Sequence, residues 1–476
     1  MAVNMTNFDL TTEKRAKLFS SVAGKLEEYY RNTSELKVTP ELNLEKIREI
    51  IRKHNFEVPL DEIEAASLVI EGLKKYIVHT PHPRYYGLFN PRASFPSVIA
   101  DLITATFNPQ LAAWSHSPYA SETENYLVQE FGKKLGYDTS DIDGVFATGG
   151  AEANLTAVLC ALNHSVPGFA NKGLIGMDGR PLLYCSSEAH HSVIRAARSV
   201  GIGKESVRMI RVNDNMVIRT VDLKMTIESD LKSGSIPFMI IGTAGSTGTG
   251  SIDDLNTLSE LANQFGLWFH IDAAYGGAAI LNSESAHWIK GVERADSITL
   301  DVHKWLSVPM SASMFITRQR EILGKTFRID TEYMPKEADK LQITDPYSHS
   351  IQWSRRFIGL KLYLSLLIFG WKGFSEVIWH QIEMGNLLRE LLGKNGWIVK
   401  NRTPLPVVCF TDPEHEGNTD FAREVCDRVI KSGEAWISVY PVNGKNTLRA
   451  CITNYATSPD DIEALVETVN KFRDNI

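Results

Sequence analysis

A lysine beside a histidine, just past a short apolar run, is the first candidate for chemistry. The segment is Ser297-Ile298-Thr299-Leu300-Asp301-Val302-His303-Lys304-Trp305. A lysine amine at a strand end can be desolvated and held near an aldehyde, which suits Schiff-base formation. Upstream, Leu267-Trp268-Phe269-His270-Ile271-Asp272-Ala273-Ala274-Tyr275-Gly276-Gly277 ends a second strand on a carboxylate followed by small residues. Each half alone has a plain structural reading. A strand-end Asp often caps a helix, and a Lys after a strand often ends in solvent. Together they match the needs of pyridoxal phosphate (PLP), a cofactor bound by a lysine Schiff base with an acid against its pyridinium nitrogen.

Three further segments fall at strand ends. Phe146-Ala147-Thr148-Gly149-Gly150-Ala151-Glu152-Ala153-Asn154 reads strand, glycine turn, helix. Small residues let a phosphate approach the backbone, and the helix N-terminus offers N–H groups and a favourable dipole; the same turn could also bind nothing. Ser187-Glu188-Ala189-His190-His191-Ser192 puts an imidazole where it could stack on a flat ring, although most isolated histidines do no such work. Gly242-Thr243-Ala244-Gly245-Ser246-Thr247-Gly248-Thr249-Gly250 could set a hydroxyl beside a ring substituent, or be a flexible turn.

The elements that would position these residues follow from periodicity. Short apolar strands are expected at 144–148, 181–186, 206–212, 238–243, 267–272, 297–300 and 312–317. Helical segments lie between several of them, at 154–162, 191–200 and 255–265. That alternation implies crossovers and a mostly parallel sheet covered by helices on both faces. Ligands of such sheets sit beyond the strand C-termini.

Before the sheet, narrow apolar stripes (Leu18, Val22, Leu26; Leu44, Ile47, Ile51; Ile63, Ala66, Ile70, Leu73) predict three helices that need an external surface. We therefore expect a helical arm over 1–85, packing on a partner subunit. A large domain over 86–350 follows, in which the polar, aperiodic stretch 328–350 reads as a mobile lid. A small α/β domain over 351–476 completes the chain, with a long helix after Ser354-Arg355-Arg356, strands near 407–410 and 447–453, and a closing helix at 459–472.

The 476 residues are 43% hydrophobic and 22% charged, with a net charge of −7. These values fit a globular protein and argue against bulk nucleic-acid or anionic-membrane binding. Met1 to Lys17 lacks the apolar core of a signal peptide, and the apolar stretch Leu360 to Trp371 is too short to span a bilayer. Five scattered cysteines show no metal or haem spacing, and a cytoplasmic location with reduced thiols is expected. No metal is called for.

With these motifs, and with His82-Pro83-Arg84, Trp114-Ser115-His116-Ser117-Pro118 with Glu122, and Arg355-Arg356-Phe357, the chain resembles the group II PLP-dependent amino-acid decarboxylases. This fold-type I family holds the aromatic-L-amino-acid, glutamate and cysteine-sulfinate decarboxylases. The Trp114–Pro118 and Tyr333 segments look most like the aromatic branch. The resemblance implies an aspartate-aminotransferase-like fold with a seven-stranded sheet, and a homodimer whose active site lies at the subunit interface. It implies decarboxylation of an L-amino acid, with an aromatic substrate favoured. The alternatives are an acidic or diamino substrate, or oxidative deamination to an aldehyde after decarboxylation.

Residue by residue, the resemblance makes Lys304 the Schiff-base lysine and Asp272 the partner of the ring nitrogen. Ala274 packs under the ring, His190 stacks above it and Thr247 lies beside its substituents. Gly150 and Ala151 take the phosphate, and His303 lies close to phosphate and substrate. Tyr333 protonates the substrate carbon after CO2 leaves. Tyr85, Phe89, Trp114 and Ser354 are the substrate-pocket candidates. Three positions depart from the aromatic members: Asp301 replaces an asparagine near the phosphate, Pro91 a substrate-orienting threonine, and Ser354 a glycine that shapes the pocket.

Overall fold

The computed structural model describes residues 9–175, 177–329 and 343–474. Its centre is a seven-stranded sheet of β1 (Asp143–Ala147), β2 (Pro181–Ser186), β3 (Val207–Ile210), β4 (Ile236–Thr243), β5 (Trp268–Asp272), β6 (Ser297–Leu300) and β7 (Ser313–Thr317), in the order β1-β7-β6-β5-β4-β2-β3. Strands β3, β2, β4, β5 and β6 run parallel, and β7 is antiparallel to both β1 and β6. All seven expected strands are present. The third is shorter than expected, because Val212 leaves the sheet for an isolated bridge to Ile218.

Side chains alternate across the sheet and divide its cover into two cores. Leu182, Tyr184, Ile240, Phe269 and Ile271 enter one core. Leu183, Cys185, Ile241 and Trp268 enter the other. Both faces are thus buried, which explains the near-continuous apolar text of the strands. The register sets Thr243 beside Asp272, and Asp272 beside Thr299, so the C-terminal ends of β4, β5 and β6 form one edge.

After β7 the long helix Leu360–Lys394 turns at Gly370, whose φ of 62° lies in the left-handed region. Its first part (Leu362, Phe374, Ile378) joins a large-sheet core. Its last part (Met384, Leu388, Leu392) joins a third core, built on a smaller sheet. That sheet has the order β10-β11-β9-β8, from β8 (Ile398–Val399), β9 (Val407–Thr411), β10 (Ser438–Val442) and β11 (Lys445–Cys451). Helices Thr419–Ser432 and Pro459–Arg473 cover it. The Arg355 guanidinium of the Arg355–Phe357 motif is buried against Glu124, whose other oxygen accepts from the N–H groups of Ile358 and Gly359.

The chain opens with helices Thr12–Asn32, Leu44–Arg52 and Glu62–Tyr76. They are N-capped by Thr11, Asn43 and Asp61, and none has a buried residue. Tyr29 and Tyr30 tie them to the body through His79 and Tyr455. Among the described residues, no helix is long and apolar enough to cross a membrane.

Candidate active site

Beyond the C-terminal edge of β4, β5 and β6 lies a cavity of about 240 Å³. It is lined by Lys304, Asp272, His190, Thr247, Ala274, His303, Gly150 and Ala151, together with Asp301 and Asn154. Every residue assigned to the cofactor from sequence therefore meets in one place.

Asp272 ends β5, buried, with both oxygens occupied. Oδ1 accepts from the Ala274 N–H at 3.1 Å, and Oδ2 accepts from the Asn154 amide at 2.9 Å. Asn154 is fixed in turn, because its oxygen accepts from Thr299 Oγ1 at 2.8 Å and from His270 Nε2 at 3.1 Å. His270 Nδ1 takes the Ser297 hydroxyl at 2.8 Å, and that hydroxyl oxygen accepts from the Trp268 indole at 2.9 Å. Burial pushes the His270 imidazole down to about 4, so it is neutral and donates through Nε2. This relay holds the Asp272 carboxylate in one orientation.

Asn154 also donates to Ser192 Oγ at 2.8 Å, and Ser192 meets His190 Nδ1 at 2.8 Å. The Ser192 N–H points at the same nitrogen at 3.2 Å. Nδ1 is thus the acceptor, and the ring proton sits on Nε2. Burial lowers the His190 pKa, with Asp272 opposing the shift. Sequence reasoning missed Asn154 and Ser192 as positioning residues. Their signal was adjacency to the glycine turn and to His190, and it carried no partner.

Lys304 follows β6 through a turn closed by its own N–H on the Asp301 carbonyl. Its Nζ lies 3.0 Å from Asp301 Oδ2 and 5.8 Å from the centre of the Phe89 ring. The Phe89 ring lies tilted against Tyr275, centre to centre 4.2 Å, and Tyr275 lies tilted against Trp305 at 5.1 Å. Asp301 is not turned away from the glycine turn: a Cβ on Gly150 would fall 3.0 Å from Oδ2. His303 Nδ1 lies 2.6 Å from the Ala312 carbonyl, and burial lowers the His303 pKa, opposed by Asp301.

The loop carrying Thr247 is braced by the small sheet. Buried Arg449 donates to the carbonyls of Thr247 and Gly248, and its guanidinium lies 5.1 Å from the Phe89 ring. Tyr440 donates to Glu188, two residues before His190, at 2.7 Å.

The substrate-pocket candidates are more dispersed. Phe89 faces Lys304. Tyr85 is buried against Trp436, with its hydroxyl on Asn90. None of the four lines this cavity; the Trp114 indole donates to Glu122, and exposed Ser354 accepts from Gln110. Tyr333, and most of the 328–350 stretch around it, lie outside the described residues.

The residues fit PLP. A lysine and a carboxylate face one cavity, the glycine turn opens a helix with no side-chain cap, and two buried hydroxyls there, those of Thr243 and Tyr275, lack protein partners.

Residues 57–412 match the family model described as the pyridoxal-dependent decarboxylase conserved domain. An aromatic-L-amino-acid decarboxylase of Bacillus atrophaeus is 28% identical over 482 aligned residues, covering 98% of each chain. An acidic amino acid decarboxylase of Bos taurus is 25% identical, covering 83% of this chain and 78% of its own. In fold, the chain is similar to the crystal structure of Oryza sativa TDC with PLP and tryptamine, with a TM-score of 0.92, 22% identity and 99% of both chains covered. The match over three quarters of its length shows that this chain belongs to the pyridoxal-dependent decarboxylase family and is a PLP-dependent amino-acid decarboxylase.

Proposed function

We propose that the enzyme converts an aromatic L-amino acid to its amine and CO2, acting as a cytoplasmic homodimer. The observation that carries this reading is the approach of Lys304, which lines the cavity with Asp272 and His190, to the Phe89 ring, whose centre lies 5.8 Å from the amine. An aromatic wall beside the reacting amine favours a flat apolar side chain. Arg92, three residues after Phe89 in the chain, is engaged elsewhere. Its guanidinium lies 3.6 Å from the Tyr30 ring centre and donates to the Tyr30 carbonyl at 2.6 Å.

Bound PLP supplies an electron sink for the bond between Cα and the substrate carboxylate. The chain's residues do the rest. Lys304 holds the cofactor covalently, and Asp272 keeps a proton on the ring nitrogen by charge. His190, Ala274 and Thr247, which line the same cavity, would enclose the ring, His190 in its neutral form. Gly150 and Ala151 present the helix N-terminus to the phosphate, with His303 nearby. Tyr333 would return a proton to Cα.

The dimer reading is supported by apolar side chains without cover in this chain: Leu26, Ile51 and Leu73 on the arm, and Phe107 and Leu367 on the body. The arm then packs on a partner, and Trp114 and Ser354 serve the partner's cavity. A panel of L-amino acids, with amine, aldehyde and CO2 measured together, tests the proposal. An aromatic substrate giving amine and CO2 in equal amounts is expected, with Tyr333→Phe shifting product from amine towards aldehyde. Turnover of acidic or diamino acids alone would refute the aromatic reading, and unchanged amine yield in Tyr333→Phe would remove that residue's role.

A further inference from the structure

The glycine turn that receives the cofactor phosphate is acidic. Asp301 is 4% exposed, its Oδ2 rests against Gly150, and its Oδ1 has no protein partner. The Thr148 hydroxyl, which could have donated to a phosphate, is spent on Glu152 at 2.6 Å, and the Thr148 N–H goes to the same carboxylate at 2.9 Å. Among the described lining residues, Lys304 is the single lysine or arginine, against the carboxylates of Asp272 and Asp301. It lies 3.0 Å from Asp301. The imidazoles of His190 and His303 face the same space, and burial disfavours the charged form of both. Lys361, farther off, is committed to Asp101 and to the carbonyls of Pro309 and Ser311.

A phosphate monoester at this turn therefore meets a buried carboxylate with one neighbouring cation, and that cation is the amine that must react with the aldehyde. We propose that Asp301 opposes the cofactor phosphate, lowering the site's affinity for PLP relative to the same cofactor without its phosphate. Asp301 also pairs with Lys304, so its removal changes the amine's reactivity towards any aldehyde. The two effects separate by ligand: the effect on the amine is common to PLP and pyridoxal, whereas opposition to the phosphate acts on PLP alone.

The test is equilibrium binding of PLP and of pyridoxal to cofactor-stripped wild type, Asp301→Asn and Asp301→Ser, followed by imine absorbance and by quenching of tryptophan fluorescence. Circular dichroism confirms that each variant is folded. Asn keeps the shape and adds an amide donor; Ser removes the charge without one. In both variants the gain in PLP affinity is expected to exceed any gain for pyridoxal by about tenfold or more, a floor set well below the roughly thousandfold of an unrelaxed like-charge contact near 4 Å at an effective dielectric of about 20. Equal gains for the two ligands would assign the whole effect to Lys304 and overturn the proposal. So would unchanged PLP affinity, or tightening in Asp301→Asn alone, which would credit the new amide.

Discussion

Asp272 is held by two neutral donors, the Ala274 N–H and the Asn154 amide, so in the proposed role its negative charge would be left for the cofactor ring. An amide in its place would keep the shape and lose that charge. Asp272→Asn should still bind PLP, while decarboxylation falls by about a hundredfold or more, the scale of one removed electrostatic contact at a reacting centre. Steady-state turnover beside the cofactor absorbance checks this, and near-wild-type turnover would take Asp272 out of its role. His270 behind it carries a pH signature. Its pKa drops from 6.5 to about 4 in the fold, so the unfolded chain binds more protons between those values. The stability it supports is fully present above pH 6.5 and is lost as pH falls towards 4, amounting to about 3 kcal/mol. Asp253, pushed up by burial to about 6, acts with the opposite sign over part of that range. A His270→Gln variant isolates the histidine: its unfolding midpoint should drop less between pH 7 and pH 5 than that of wild type. At this scale the meeting of Lys304 and Asp272 at one cavity was legible, because a charged side chain at a strand end stands out against apolar text. Asn154 was not, since a polar residue in the first turns of a helix looks alike whether it faces solvent or a neighbouring strand.

Among elements, the hairpin of β10 and β11 does more for the site than its position in the chain suggests. Arg449 of β11 grips the carbonyls of Thr247 and Gly248, and the Tyr440 ring of β10 fills the place of a side chain at Gly248, where a Cβ would meet it at 2.0 Å. Arg449→Met should leave those carbonyls buried and unpaired, costing about 2–4 kcal/mol. Faster hydrogen exchange over 245–250 and about a tenfold loss in kcat/KM would show that the loop has loosened; protection equal to wild type would show that the brace is dispensable. Sequence periodicity found every strand of the large sheet, where both faces are buried. It missed β8 and β10, which are the two edges of the small sheet. One is two residues long and the other contains Pro441, and edge strands tolerate both. Helix Thr419–Ser432 has a regular apolar face (Phe421, Val425, Val429), so its omission was a missed pattern rather than a missing one. The grip of residue 449 on residue 247 is a tertiary contact with no local signal.

Across the whole molecule, the large sheet aligns the C-terminal ends of β4, β5 and β6, and chain segments far apart in sequence converge there from both sides. Phe89 arrives before the first strand and Arg449 from the small sheet, and the Phe89 ring lies within 6 Å of both the Arg449 guanidinium and the Lys304 amine. The long helix binds the halves together by entering a core in each. The overall architecture was legible because alternating strands and helices admit few arrangements. The placement of Tyr85, Phe89, Trp114 and Ser354 outside this cavity's lining was not, since tertiary packing sets it and leaves no local signal. The central claim is that this convergence is the cofactor site and that Lys304 is its reactive amine. Borohydride reduction of the intact, cofactor-saturated protein, followed by peptide mapping, tests it most directly. One pyridoxyl group per chain, on Lys304, is the predicted result; a group on any other lysine, or none at all, would contradict it.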